Sequence, residues 1–201
     1  MLRIGLTGGI ACGKSTVGGM LVRRGAHYLS ADELAHKLYE PGAVAYEGVV
    51  RTFGREILNT DNTINRKKLA ALAFPNRIDE LNAIVHPAVI EAQRLWMSDV
   101  QRTDPTGVAV VEAALLLEAG AEKDFDKVIV VTCNRECKVQ RYAQRAGVSP
   151  EQARAEVERR SGAQFSDDEK ARRADYVIAN SGSLEETERQ VDAVWAQLRK
   201  P

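Results

Sequence analysis

The sequence is poor in cysteine, with three (Cys12, Cys133 and Cys137) in 201 residues. An odd number with no C-x-x-C pair gives neither a disulfide framework nor a zinc ligand set. Cys133 and Cys137 are spaced to face one another across a strand-to-helix turn, but reduced thiols in a cytoplasmic protein are the simpler expectation. A surplus of charge is missing too. Lys plus Arg and Asp plus Glu each number 28, which argues against a dedicated nucleic-acid binder and its basic excess. That balance still allows a local basic pocket for a phosphorylated ligand. No stretch approaches the ~18 consecutive apolar residues of a membrane span. No secretory leader, internal repeat or low-complexity segment is visible. What remains, 44% hydrophobic and 28% charged residues, is the make-up of an ordinary globule able to bury a core. The length predicts one domain, with inserts.

Five short apolar runs read as strands: residues 2–7, 26–30, 108–112, 127–133 and 175–179. They are continuous rather than alternating, as expected where helices cover both faces of a parallel sheet. Helical patterns separate them, so the fold class is α/β. A helix is predicted from Lys14 to Arg24 with Gly25 as its stop. A second follows Asp32, with Leu34 and Leu38 on one face, and Pro41-Gly42 ends it. Residues 43–103 hold helices and no convincing strand, which marks an inserted subdomain. Ser149-Pro150-Glu151-Gln152 reads as an N-cap, a first-position proline and a capping-box glutamine, for a helix to Ser161 stopped by Gly162. The last helix, 184–198, places Val191, Val194, Trp195 and Leu198 on one side.

The strongest signal is Gly8-Gly9-Ile10-Ala11-Cys12-Gly13-Lys14-Ser15-Thr16. It fits G-x-x-x-x-G-K-[ST], preceded by an apolar strand and followed by a helix. Glycines let successive N–H groups turn inward toward phosphate oxygens. The helix N-terminus adds about half a positive charge. Lys14 would reach the β and γ phosphates, Ser15 would ligate Mg²⁺, and Thr16 stands near the α phosphate. The expected fold is a P-loop NTPase, a three-layer α/β/α sandwich on a five-stranded parallel sheet. A helical substrate-binding subdomain and a lid complete it.

The loop alone does not say which NTPase this is. A GTPase needs N-K-x-D, which is absent. Asp104-Pro105-Thr106-Gly107 matches D-x-x-G but precedes a strand instead of following one, and reads as a polar turn. A DNA-handling ATPase usually needs a longer chain and a basic groove. A small kinase fits best. Another kinase of the same fold and a non-enzymatic nucleotide switch are the rivals.

Beyond the loop, several segments in order resemble one family. They are Gly5-Leu6-Thr7-Gly8-Gly9-Ile10, Ala31-Asp32 with Ala35 and Pro41-Gly42, and Leu81-Asn82 with His86-Pro87. Leu115-Leu116-Leu117-Glu118, Gln164, Glu169-Lys170, Ala174-Asp175-Tyr176-Val177-Ile178 and Asn180-Ser181-Gly182 follow. Together the chain resembles dephospho-CoA kinase, which phosphorylates the ribose 3′-hydroxyl of dephospho-coenzyme A with ATP. Departures from that pattern are Ala11-Cys12, Ser30, Glu112-Ala113-Ala114 and Lys138. Glu112 keeps a carboxylate.

The resemblance implies Asp32 as general base, and a helix N-cap is the plain alternative. Glu112, ending the third strand, would hold Mg²⁺ through water. Arg141 and Arg145 share a helix face and Arg160 lies on the next helix; guanidinium forks bind phosphate, though surface pairing with Glu competes. Arg141 is expected to be catalytic with Lys14 and Asp32, and Arg145 and Arg160 to contact ATP. Leu115, Glu118 and His86 are acceptor-side candidates. Glu118 would equally cap or pair, and His86-Pro87 would equally start a helix. Asn180 and Gly182 lie either near the adenine or in a plain turn. The expected parts are a nucleotide core (1–31, 106–133 and 174–201), an acceptor region (32–105) and a lid (134–173). The substrates are ATP with Mg²⁺ and dephospho-CoA, with no nucleic acid or membrane. A cytoplasmic location and a monomer are expected, with oligomers left open.

Overall fold

Pleating decides the architecture. Val128 and Val130 face one side of their strand and Ile129 and Val131 the other, and all four are buried. A strand apolar on both faces has to be covered on both. The computed structural model describes residues 1–74 and 76–200. In chain order the elements begin β1 (Leu2–Gly8), α1 (Lys14–Arg23), β2 (His27–Ser30), α2 (Ala31–Leu38) and α3 (Tyr46–Phe53). Next come α4 (Arg66–Ala73), α5 (Ile78–Thr103), β3 (Val108–Glu112), β4 (Lys127–Thr132), α6 (Arg135–Ala146) and α7 (Pro150–Gly162). The chain closes with α8 (Asp167–Arg172), β5 (Tyr176–Ala179) and α9 (Leu184–Leu198). Every predicted strand is present, with ends displaced by at most one residue.

The five strands form one sheet in the order β2-β3-β1-β4-β5, with β1 pairing β3 and β4, and β4 pairing β5, all in parallel. Two compact units make up the chain: Met1–Leu29 with Val100–Pro201, and Ser30–Asp99. In the first, Val17, Met20 and Leu21 of α1 and Val191, Val194 and Leu198 of α9 pack on Ile4, Leu6, Ile129, Val131 and Ile178 of the sheet. On the other face Val128 and Val130 meet Leu116, Leu117, Phe125, Phe165 and Ala174. Each such large side chain taken from water contributes roughly 1.5–3 kcal/mol.

Local signals set the helix ends. Ser149 and Gln152 form a capping box at α7, as do Ser183 and Glu186 at α9. Gly162 is the last residue of α7, one place later than expected. Asp104 to Gly107 is a turn closed by a backbone hydrogen bond, and Asp104 also bonds His27 at 3.0 Å.

The second unit is helical. Tyr46, Val49, Phe53, Ile57, Leu69, Ala73 and Val85 make its core, and Arg77 lies over the Phe53 ring. Two expectations need correction here. The cap of α2 is Ser30, whose hydroxyl accepts from the Glu33 N–H, so Asp32 is not the N-cap but a first-turn residue. His86-Pro87 does not start a helix either, because Pro87 lies inside the 26-residue α5. Among the described residues no helix is long and apolar enough to cross a membrane.

Candidate active site

The phosphate loop bridges β1 and α1 at the carboxyl edge of the parallel strands, where α/β sheets gather ligands. Gly8 and Gly13 have φ of 151° and 91°, a region costly to other residues. At Gly8 a side chain would strike the Val131 carbonyl, and at Gly13 the Asn180 amide. Ala11, also left-handed at φ 54°, accepts that strain at the loop tip. Its methyl and Ile10 join a small core with Val139 and Tyr142 of α6 and Ala153 and Val157 of α7. The tip is thus packed into the helix pair above it.

The far side of the loop is fixed by hydrogen bonds. The Cys12 carbonyl accepts from Asn180 Nδ2 at 2.7 Å and from Arg141 Nη1 at 3.3 Å. A trans peptide holds C=O and N–H in opposite directions. Pinning that oxygen therefore turns the Gly13 N–H the other way, where it is free to meet phosphate. Asn180 is buried, and its Oδ1 accepts from Thr187 Oγ1 at 2.9 Å. Both ends of its amide are engaged, which makes it a strut. Gly182 lies in the turn leading to the Ser183 capping box. Lys14 reaches back over the loop, its Nζ 3.1 Å from the Gly8 carbonyl and 3.3 Å from that of Gly9. Ser15 and Thr16 open α1 and are exposed.

The register sets Glu112 beside Leu6, two residues before Gly8. Tyr28 donates its hydroxyl to Glu112 Oε2, fixing the carboxylate at the strand end.

Thiols crowd behind the loop. Cys12 is fully buried and Cys133 nearly so. The hydrogen bond from Cys133 lowers Cys12 to about 7, against its burial and with help from Lys138 and Lys14. The same bond and burial push Cys133 up. The Cys133 thiol is directed at the Ala11 and Asn134 carbonyls, at 3.9 and 3.5 Å, and not, as its spacing suggested, at Cys137, whose thiol bonds the Ser181 carbonyl. Lys138 sits at this back wall with Asp167 at 2.6 Å. Burial works to lower its pKa, but Asp167 and the two thiols outweigh that and raise it. A cavity of about 450 Å³ opens here, lined by Gly9, Cys133, Lys138, Val157, Gln164 and Asp167. It touches the phosphate loop only at Gly9.

A strand-to-helix loop with this geometry belongs to many kinases, and whole-chain similarity separates them. The family model for dephospho-CoA kinase matches residues 2–186. The chain belongs to the dephospho-CoA kinase family. It is 44% identical over 199 residues to the dephospho-CoA kinase of Geobacter metallireducens, covering 98% of this chain and 96% of that one. Among solved structures it resembles TT1252 from Thermus thermophilus, with a TM-score of 0.80, 37% identity and coverage of 98% and 97%. The dephospho-CoA kinase from Campylobacter jejuni matches with a TM-score of 0.64 and 26% identity over 98% and 96% of the two chains.

The remaining candidates of this dephospho-CoA kinase family member fall into four groups. Arg141 is joined to the phosphate loop, as given above. Arg145 and Arg160 meet instead at the Tyr142 ring, 5.6 and 5.8 Å from its centre. Arg160 is also paired with Glu156 at 2.6 Å, and Arg159 and Arg160 hold that carboxyl at about 2. Leu115 is 51% exposed on the loop after β3. Three residues on, Glu118 Oε1 is engaged by Lys170 at 2.9 Å and by the Phe165 N–H at 2.9 Å. Asp32 and His86 belong to the helical unit and are exposed. Sequence reasoning missed Tyr28, Asp167 and the placement of Lys138. Lys138 stands three residues before Arg141, a spacing that puts both on one helix face.

Proposed function

We propose that the protein transfers the γ-phosphoryl group of ATP to the ribose 3′-hydroxyl of dephospho-coenzyme A, giving coenzyme A and ADP. The observation that carries this reading is the oriented phosphate loop, with Lys14 over it, in a chain matched along its length to one kinase family. Phosphoryl transfer needs little covalent help and much positioning. The loop N–H groups and Lys14 hold the β and γ phosphates, and Arg141 adds a guanidinium that neutralises charge as it spreads in the transition state.

Asp32 accepts the proton of the acceptor hydroxyl. In support, its carboxylate is exposed and spared from capping, which Ser30 performs. Mg²⁺ suits the residues present: Ser15 Oγ and the Glu112 carboxylate are hard oxygen donors. Bound there, Mg²⁺ would neutralise phosphate charge.

The helical unit takes the acceptor, with His86 as a contact. Leu115 and Glu118 are further acceptor contacts. The α6–α7 pair acts as lid, carrying Arg145 and Arg160 toward ATP on closure to exclude water. Asn180 and Gly182 lie by the adenine. The enzyme works as a cytoplasmic monomer, consistent with its free thiols.

The test is a panel of acceptors with ATP and Mg²⁺: dephospho-CoA, shikimate, gluconate and nucleoside monophosphates. ADP release should depend on an acceptor and be fastest with dephospho-CoA. A better rate with any other acceptor overturns the assignment.

A further inference from the structure

Lys170 is a lysine with a fully buried side chain. It stands in a run of charges, Asp167-Asp168-Glu169-Lys170-Ala171-Arg172-Arg173, whose other members keep contact with solvent or pair on the surface. Its Nζ lies 2.9 Å from Glu118 Oε1 and donates to the Ala114 carbonyl at 3.2 Å. Taking both ions out of water costs several kcal/mol each, and apolar residues of similar volume often serve stability as well. Such a pair is weak as a stabiliser, but its hydrogen bonds have direction.

Those bonds converge on the phosphate loop. The Ala114 carbonyl also accepts from Thr7 Oγ1 at 3.4 Å, one residue before Gly8. Glu118 Oε1 also accepts from the Phe165 N–H. Residues 165–170 are therefore a strap, tied at one end by Glu118 and at the other by Lys170. Between the ties, Asp167 reaches Lys138. A Cβ at Gly9 would stand 3.0 Å from Asp167 Oδ1 and 3.1 Å from Lys138 Nζ. The strap thus presses an ion pair against the back of the loop at a residue with no side chain to hold it off.

We propose that Lys170 is a positioning residue for the nucleotide: by anchoring the strap it holds Asp167 and Lys138 behind Gly9 and keeps the loop N–H groups preorganised. This rests on the kinase reading above, but its test reads nucleotide affinity without any acceptor, so failure of dephospho-CoA as substrate would be a separate result.

The variants are Lys170→Met, Lys170→Met with Glu118→Gln, and Asp167→Asn, compared with wild type. Each is titrated with a fluorescent ATP analogue and Mg²⁺, and its thermal midpoint is recorded. Lys170→Met strands the Glu118 charge, so both midpoint and affinity should fall, affinity by about tenfold for a loop displaced by a fraction of an ångström. The second change removes the stranded charge. The midpoint should recover while the affinity stays low. Asp167→Asn, at the partly exposed end of the route, should weaken nucleotide binding with little change in midpoint. If the double variant regains wild-type affinity together with its midpoint, the pair is merely structural and the proposal is wrong. Wild-type affinity in Asp167→Asn also overturns it, and that variant decides alone if neither Lys170 variant folds.

Discussion

Asn180 ties the loop after β5 to the phosphate loop, and its removal has a calculable effect. Asn180→Ala deletes the 2.7 Å bond to the Cys12 carbonyl and the 2.9 Å bond from Thr187. Neither partner is orphaned, because Cys12 keeps Arg141 and Thr187 keeps the Ser183 carbonyl at 3.1 Å. The loss is then the net worth of two hydrogen bonds, about 2 kcal/mol. Asn180→Asp has nearly the same shape but sets a carboxylate oxygen against the Cys12 carbonyl in a buried site. An uncompensated buried charge costs roughly 3–5 kcal/mol, so the closer isostere should be the worse variant. Both let the Cys12–Gly13 peptide rotate, which withdraws one N–H from the phosphates and should weaken nucleotide binding about tenfold for ~1.4 kcal/mol. Urea unfolding gives the stabilities, and titration with an ATP analogue gives the affinities. An Asn180→Asp protein as stable as wild type, or binding nucleotide as tightly, would refute the strut.

Other expectations bear on separate parts of the molecule. Lys14→Ala should abolish nearly all turnover while leaving the circular dichroism spectrum unchanged. Asp32→Asn should lower kcat on the order of 10²-fold or more with nucleotide affinity intact; an unchanged kcat removes Asp32 as the base. Cys12 ionises at about 7 in the fold against an ordinary 9.0, so between those values the unfolded chain binds more protons and stability rises with pH. Cys133 is shifted the other way from 9.0, so stability falls again once the unfolded Cys133 ionises. Urea midpoints across this range should show that rise in wild type and lose it in Cys12→Ser; parallel curves contradict the lowered Cys12. Ser149→Ala removes the hydroxyl that accepts from the Gln152 N–H and should cost about 1 kcal/mol by thermal unfolding, with no change in nucleotide affinity.

The sequence displayed most of this fold because its signals are local. The strands β1 to β5 are apolar runs bounded by turns, and the start of α7 is written in Ser149 and Gln152. The phosphate loop needs glycine where φ is positive, so Gly8 and Gly13 mark it at the level of residue type. Asn180 was legible as an adenine-side or turn residue but not as a strut, since its partner Cys12 lies 168 positions away. Lys170 entered only through the Glu169-Lys170 segment of the resemblance, because nothing near it in sequence reveals Glu118, its partner across the unit. Asp32 was read as a possible cap because a carboxylate caps well; Ser30, two residues earlier, takes that place because its hydroxyl reaches the Glu33 N–H. Pro87 suggested a helix start since its missing N–H is harmless there; α5 carries it in its interior instead.

The central claim is regiospecific phosphoryl transfer, and the product tests it directly. Purified protein, ATP, Mg²⁺ and dephospho-CoA should yield a new phosphomonoester whose phosphorus couples to the ribose 3′ proton in the nuclear magnetic resonance spectrum, with one ADP formed per product. A phosphate found at the 2′ position, or ADP formed with the acceptor unmodified, would contradict the account.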